Sequence, residues 1–360
     1  MPAVTVTAGF CEVLLNELDA ITGKNTPEMM QKKNGTLEVL TSAGNKMGFE
    51  NLPLGQGEGR VKQTRVRYLQ RSCDDTAITS YSARTCGTGT EKPFLETTVD
   101  INNYVGSRNI RLSNSEMRQL CVDAKAMGAW FRRNIMSEMN AVHTTLNNAL
   151  LENIFNNCVG VNINNVVSGV PSASAKDITV LTGDCKTNCV DGINELLRDY
   201  SEHQYLGAPF IISQGNFAKA MLNLKYGCCN QDGIDWNKVA NYISTNGFAF
   251  YDDHNVNTVV GQDLLLMLAP GASQVLFWNE NAGDFQVQYN DVYAHTMFAS
   301  PWIPGLNFDL DIHYDDCTKV YWLQFGVHYE PWCLPSDAFD DCDELTGVSG
   351  VWLYNAVAAS

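Results

Sequence analysis

Between Ser113 and Asn157 apolar residues recur every three or four positions without a break: Met117, Leu120, Cys121, Ala124, Met127, Phe131, Ile135, Met139, Val142, Leu146, Leu150 and Ile154. That spacing lays one apolar stripe along a helix of roughly 40 residues, about 60 Å long, where a globular helix averages about 11 to 12 residues. Ser113 and Glu116 have capping-box spacing, the serine hydroxyl accepting from an orphan amide while the carboxylate returns to the cap amide, and this sets the start. Gly128 is the residue at which such a helix would split, although an interior glycine costs only about 1 kcal/mol. A single helix of this length with one buried face is expected to act as a strut.

The pattern changes on either side of it. Residues 1–46 combine a short amphipathic run, Phe10 to Ile21, with the helix start Thr26-Pro27-Glu28 and an Asn34-Gly35 turn, and carry too little apolar surface for a core; they are expected to form an arm laid over other parts. In residues 47–112 two strand-forming runs, RVKQTRVRYLQRSC and FLETTVDINNYVG, flank a polar stretch, which predicts a long two-stranded hairpin with little core beneath it. Arg60, Lys62, Arg65, Arg67 and Arg71 punctuate its first strand, and these five are the candidate contact residues toward a partner that supplies carboxylates. GQGEG at 55–59 is followed by a strand pattern, not a helix, so it is no phosphate loop.

After the long helix comes a polar, β-prone connector. A mixed α/β stretch follows, with helices near 188–200, 216–224 and 236–243 and strands APFIIS, FAFYD, DLLLML and QVLFW. NFDLDIHYD and CTKVYWLQFGVHYE then alternate apolar and polar residues, as antiparallel strands with one wet face do. An acidic loop and one last strand end the chain.

Composition adds charge and thiols to this picture. The net charge of -16 falls almost wholly in residues 226–360, which hold 2 basic and 18 acidic side chains. Such a surface repels nucleic acid, since phosphate affinity rests on Lys and Arg displacing counterions. With no basic, apolar leader in the first twenty residues and no run long enough to span a bilayer, a soluble, cytoplasmically made protein is expected, and its 12 cysteines are expected to be reduced thiols used as small apolar residues. Cys185, Cys189, Cys228 and Cys229 include no C-x-x-C pair, so no zinc site is expected. Two clusters set carboxylates beside imidazole, Tyr251-Asp252-Asp253-His254 and His313-Tyr314-Asp315-Asp316-Cys317, but both sit at strand ends, where Asp-Asp is ordinary turn chemistry. There is no H-E-x-x-H, Walker loop or G-x-S-x-G elbow; the expectation is a protein that is not an enzyme and carries no cofactor.

The order of parts, together with APFIISQGNFAKAMLNLKYG, PGASQVLFWNEN and NFDLDIHYDDCTKVYWLQFGVHYE, resembles the Hong Kong 97-type major capsid proteins of tailed bacteriophages. The resemblance implies an α+β chain with a Hong Kong 97-like capsid fold: an N-terminal arm (1–46), an extended β-hairpin loop (47–112), a spine helix in a peripheral domain (113–175), an axial domain (176–300), returning peripheral strands (301–330) and a C-terminal axial segment (331–360). It implies a virion subunit assembled in the host cytoplasm into pentamers and hexamers of an icosahedral shell around double-stranded DNA, which it encloses without sequence-specific binding. Scaffolding, portal and decoration proteins are the implied partners, with no membrane. A shell of the same fold around cargo protein, as in encapsulins, is the alternative, and a metal-dependent hydrolase using the Asp-His clusters a more distant one.

Overall fold

The computed structural model describes residues 33–46, 49–53, 62–69, 94–113, 115–116, 124–180, 191–203, 205, 207–226, 247–280, 287–288, 293–315, 317–335, 338 and 347–358. The expected elements at 10–28 and 236–243, Cys121, the four candidate zinc cysteines and most of the acidic tail loop lie outside them. The chain divides into two compact units, one of residues 1–42, 101–150 and 275–330, the other of 43–100, 151–274 and 331–360.

The first unit is built on the long helix. Ser113 and Glu116 form the foreseen capping box: the Ser113 amide donates to Glu116 Oε2 at 2.9 Å and the Glu116 amide to Ser113 Oγ at 3.3 Å. Helix α2 then runs Ala124–Asn153, with Gly128 inside it and no split there. Ile135, Met139, Val142, Leu146 and Leu150 of the expected stripe are all buried, and Met136, His143 and Asn147 widen it. In this unit a seven-stranded sheet has the order β12 (Ser273–Trp278), β16 (Val320–Cys333), β15 (Asn307–Asp315), β14 (Tyr293–Ala299), β13 (Val287–Gln288), and β4 (Asn103–Gly106) and β5 (Ile110–Ser113) also pair with β16. Antiparallel register sets Leu310 opposite Phe325 and Ile312 opposite Leu323, all buried, as the alternating pattern predicts.

The Asn34-Gly35 turn is corrected by the structure: helix α1 (Gly35–Thr41) begins there. Leu37, Val39 and Leu40 are buried, and the Leu37 amide, an orphan donor of the first turn, donates to Asn147 Oδ1 of α2 at 3.0 Å. Tertiary burial outweighs the turn preference of Asn-Gly, and this part of the arm is laid over the strut.

His143, at the middle of α2, is fully buried between Trp302 and Phe308, with ring centroids at 5.7 and 5.5 Å, and its Nε2 lies 3.2 Å from Ser300 Oγ. Burial without a countercharge pushes its pKa down to about 4. The unfolded chain, with an ordinary value of 6.5, binds the proton more readily, so stability is complete above that pH and falls as pH drops toward 4. The expected loss is roughly 3 kcal/mol from this group. Urea unfolding at pH 7 and pH 4.5 should show the loss, and His143→Phe should reduce it by a comparable amount; an unchanged pH dependence in the variant contradicts the assignment.

In the second unit five strands form a mixed sheet of order β10 (Ala249–Asp252), β9 (Phe210–Ser213), β11 (Leu264–Leu268), β17 (Val351–Ala358), β8 (Lys176–Val180). The β10/β9 and β17/β8 pairs are parallel, and β11 runs antiparallel to both neighbours. Ile211, Ile212, Leu265, Leu266, Met267 and Leu268 are buried on both faces, which accounts for the unbroken apolar runs in place of alternation. Helices α3 (Asp191–Glu202), α4 (Asn216–Tyr226) and α5 (Val256–Val259) complete the unit, together with a hairpin of β6 (Asn162–Val167) and β7 (Val170–Ser172).

A buried polar knot ties α3 to this sheet. Asp199, fully buried, accepts from Lys176 Nζ at 2.7 Å and Tyr354 Oη at 3.2 Å, with Asn162 Nδ2 at 3.4 Å; Glu195 also reaches Lys176 at 3.1 Å. Burial first, and then the Asp199 charge, hold the Tyr354 hydroxyl well above its ordinary pKa, so it stays a donor.

The thiol expectation is corrected at three cysteines. Cys158 and Cys333 are joined as a disulfide across 175 residues, their Cα atoms 5.4 Å apart, within the range a bridge requires. Cys317 is exposed and does not serve as a small apolar core residue.

Candidate assembly interface

The basic run folds as β2 (Gln63–Leu69), and its returning partner as β3 (Phe94–Asp100), antiparallel with Arg67 opposite Glu96 and Arg65 opposite Thr98. The foreseen hairpin is wider than two strands, because β1 (Phe49–Pro53) pairs with the other edge of β2 and makes a three-stranded sheet. Period-two alternation divides β2 cleanly. Thr64, Val66 and Tyr68 turn one way and are buried, Tyr68 packing on Trp332 with ring centroids 5.7 Å apart. The expectation of little core beneath the hairpin is therefore corrected for these residues: the root of the sheet is seated in its own unit.

Arg65 and Arg67 turn the other way. Both reach Glu96, Arg65 Nη1 to Oε1 at 3.1 Å and Arg67 Nε to Oε2 at 2.9 Å, with their side chains 44% and 38% exposed. The hydrogen bond from Arg67, reinforced by the charges of Arg65 and Arg67, holds the Glu96 carboxyl below its ordinary pKa. Gln63 Nε2 donates to Asp100 Oδ1 at 2.5 Å on the same strand pair. The result is a polar face on which two guanidinium groups share one carboxylate, and guanidinium is the group suited to planar recognition of carboxylates.

Of the five candidate residues, the structure brings Arg65 and Arg67 together and sets Lys62, half-buried, just ahead of β2; Arg60 and Arg71 lie outside the described residues. Glu96 is the member the sequence reading missed. The signal was present in FLETTVD, since an acid on the facing strand of a basic hairpin is the ordinary cross-strand complement, but it takes the register to pair it with Arg67.

The two Asp-His clusters resolve into turns. Asp253 Oδ1 accepts from the Asn255 amide at 2.9 Å ahead of α5, and Asp315 accepts from the Cys317 amide at 2.9 Å and Thr318 Oγ1 at 2.6 Å in the turn between β15 and β16. Among the described residues no group of three or more His, Cys, Asp or Glu is placed to hold a metal ion.

No family model and no curated protein matches the chain. Solved structures do. The chain is similar to one in the capsid asymmetric unit of cyanophage A-1(L), at 9% identity and a TM-score of 0.46 over 84% of this chain and 90% of that one. It is also similar to a chain of Mycobacterium phage Bobi, at 14% identity and a TM-score of 0.40 over 96% and 98% of the two chains. A third similarity is to the capsid of the Myoviridae phage XM1, at 10% identity and a TM-score of 0.35 over 89% and 90%.

Proposed function

We propose that this chain is the major capsid protein of a tailed phage, a structural subunit that assembles with copies of itself into the icosahedral head shell around double-stranded DNA. The observation that carries the reading is the β1–β3 sheet, rooted by Val66 and Tyr68 and presenting Arg65 and Arg67 on a polar face, in a chain whose last third is strongly acidic. A basic clasp and an acidic body on the same subunit attract between copies, and such contacts add over a closed shell. The order of arm, clasp, long helix, mixed sheet and returning strands supports the same reading, with the six-part division at 46, 112, 175, 300 and 330 as its domain plan. Pentamers and hexamers are the intermediate assemblies, and scaffolding, portal and decoration proteins the further partners. Excess acid in the C-terminal third suits a wall that contains DNA without gripping it.

Expression of the full chain followed by sedimentation and negative-stain imaging tests this. Closed particles, or capsomers of five and six subunits that close with a scaffold, are expected; a chain that stays monomeric across concentration, salt and added scaffold overturns it. Nucleic acid in particles isolated from infected cells, read from the 260 to 280 nm absorbance ratio, separates a genome shell from a cargo shell.

A further inference from the structure

We propose that the tip of the β6–β7 hairpin is an uncharged apolar wedge that inserts against a second copy of this chain; the proposal rests on the shell reading above. Val166, Val167 and Val170 are 58%, 52% and 65% exposed, and they are three of the five large apolar side chains left exposed among the described residues. Val166 and Val167 are neighbours in one strand, so they face opposite ways. Both are more than half exposed, which means the tip stands clear on its two faces. Val170 sits directly opposite Val167, and Ser168 and Gly169, with φ of 53° and 83°, make the tight reversal between them.

The hairpin is not a loose flap. Its root is tied down by Asn162, which donates to Tyr354 Oη at 2.9 Å, by Asn164, which donates to Glu202 Oε2 at 2.5 Å, and by Asn165, which donates to the Ser174 carbonyl at 2.5 Å. A rigid root holding an exposed apolar tip loses little ordering entropy on docking.

Charge and area identify the occupant. From Asn153 to Ala175 the chain carries no charged side chain, in a protein of net charge -16. Two copies repel through their acidic C-terminal thirds but meet here without that penalty, whereas nucleic acid or a basic partner finds nothing to pair with. The three valines expose roughly 250 Å² of side chain, far below the about 800 Å² per partner of a stable pair. So the tip does not dimerise free subunits. It is a supplementary contact that counts only where other contacts hold the copies in place and the same small burial repeats many times.

The test replaces Val166, Val167 and Val170 with serine in the full chain. Circular dichroism and melting of the free subunit should match the unsubstituted protein, while the subunit concentration needed for particles should rise roughly tenfold or more. Normal assembly by the triple variant overturns the wedge and leaves the shell reading standing. Should the variant fold poorly, Val170→p-benzoylphenylalanine supplies the decision: irradiation of particles should give adducts joining position 170 to a second copy, absent from dilute subunits, and purely intrachain adducts overturn the proposal. An unsubstituted chain that never assembles removes the shell reading and the wedge with it.

Discussion

Arg65→Glu combined with Arg67→Glu is expected to abolish particle formation while leaving the subunit folded. Both side chains are more than one third exposed, and both pair with Glu96 on the neighbouring strand of the same sheet. Solvent-screened pairs of this kind contribute about 0 to 1 kcal/mol, so the free subunit should melt within a few degrees of the original. The buried face of β2, Thr64, Val66 and Tyr68, is untouched and keeps the sheet seated. With Arg65 and Arg67 directed at a neighbour's carboxylates as proposed, each substituted copy would turn two attractions into repulsions, and these would accumulate over every contact. Sedimentation should therefore show free subunits or small capsomers. Glu96→Gln separates the inward role of the arginines from the outward one. If they act toward neighbours, releasing them from Glu96 leaves assembly intact or strengthens it; if assembly fails as completely as in the arginine variant, the face works through its internal pairing and the clasp is misassigned.

The parts of this fold that were legible in the sequence are those whose cause is local. Burial of Ile135, Met139, Val142, Leu146 and Leu150 follows from a period of 3.6, and the capping box from two residues three apart, so both are visible without knowing what covers them. Strands β9, β11, β12 and β15 announce themselves through apolar or alternating runs between turn residues. What stayed hidden is set by pairing across long stretches of chain. Nothing near Lys176 says that it will lie in register with Tyr354, nothing near Cys158 points to Cys333, and Asn34-Gly35 reads as a turn until Asn147 is available to take the Leu37 amide. The clasp was half legible for the same reason: the arginines lie in one run, while Glu96 and the buried seat of Tyr68 on Trp332 come from elsewhere.

The polar knot at Asp199 gives the largest stability effect expected of a single substitution. Its carboxylate is fully buried and takes hydrogen bonds from Lys176 and Tyr354 and a longer one from Asn162, joining α3, β8, β17 and the root of β6 at one point. Removing one partner of a buried ion pair costs about 3 to 5 kcal/mol, because the remaining charge keeps its desolvation penalty and loses its compensation. Lys176, only 12% exposed, is that remaining charge in Asp199→Ala; Glu195, at 34% exposure, still touches it but cannot accept from Tyr354 or Asn162 in Asp199's place. The buried Tyr354 hydroxyl then loses its acceptor as well, at about 1 to 3 kcal/mol if no water reaches it, while Asn162 Nδ2 keeps Tyr354 Oη. A typical domain has about 5 to 15 kcal/mol to lose, so this variant should unfold at far lower urea and accumulate as insoluble chain. Asp199→Asn keeps an acceptor of the same shape and discards only the charge, and should fall between the two. Tyr354→Phe, which deletes the hydrogen bond to Asp199 and the one accepted from Asn162 but leaves the carboxylate its other donors, should cost about 2 kcal/mol. Urea midpoints in the order unsubstituted, Tyr354→Phe, Asp199→Asn, Asp199→Ala are the expected outcome; if Asp199→Ala matches Tyr354→Phe, Lys176 has found water or Glu195 sufficient, and α3 is held to the sheet by its apolar residues Ile193 and Leu196 alone.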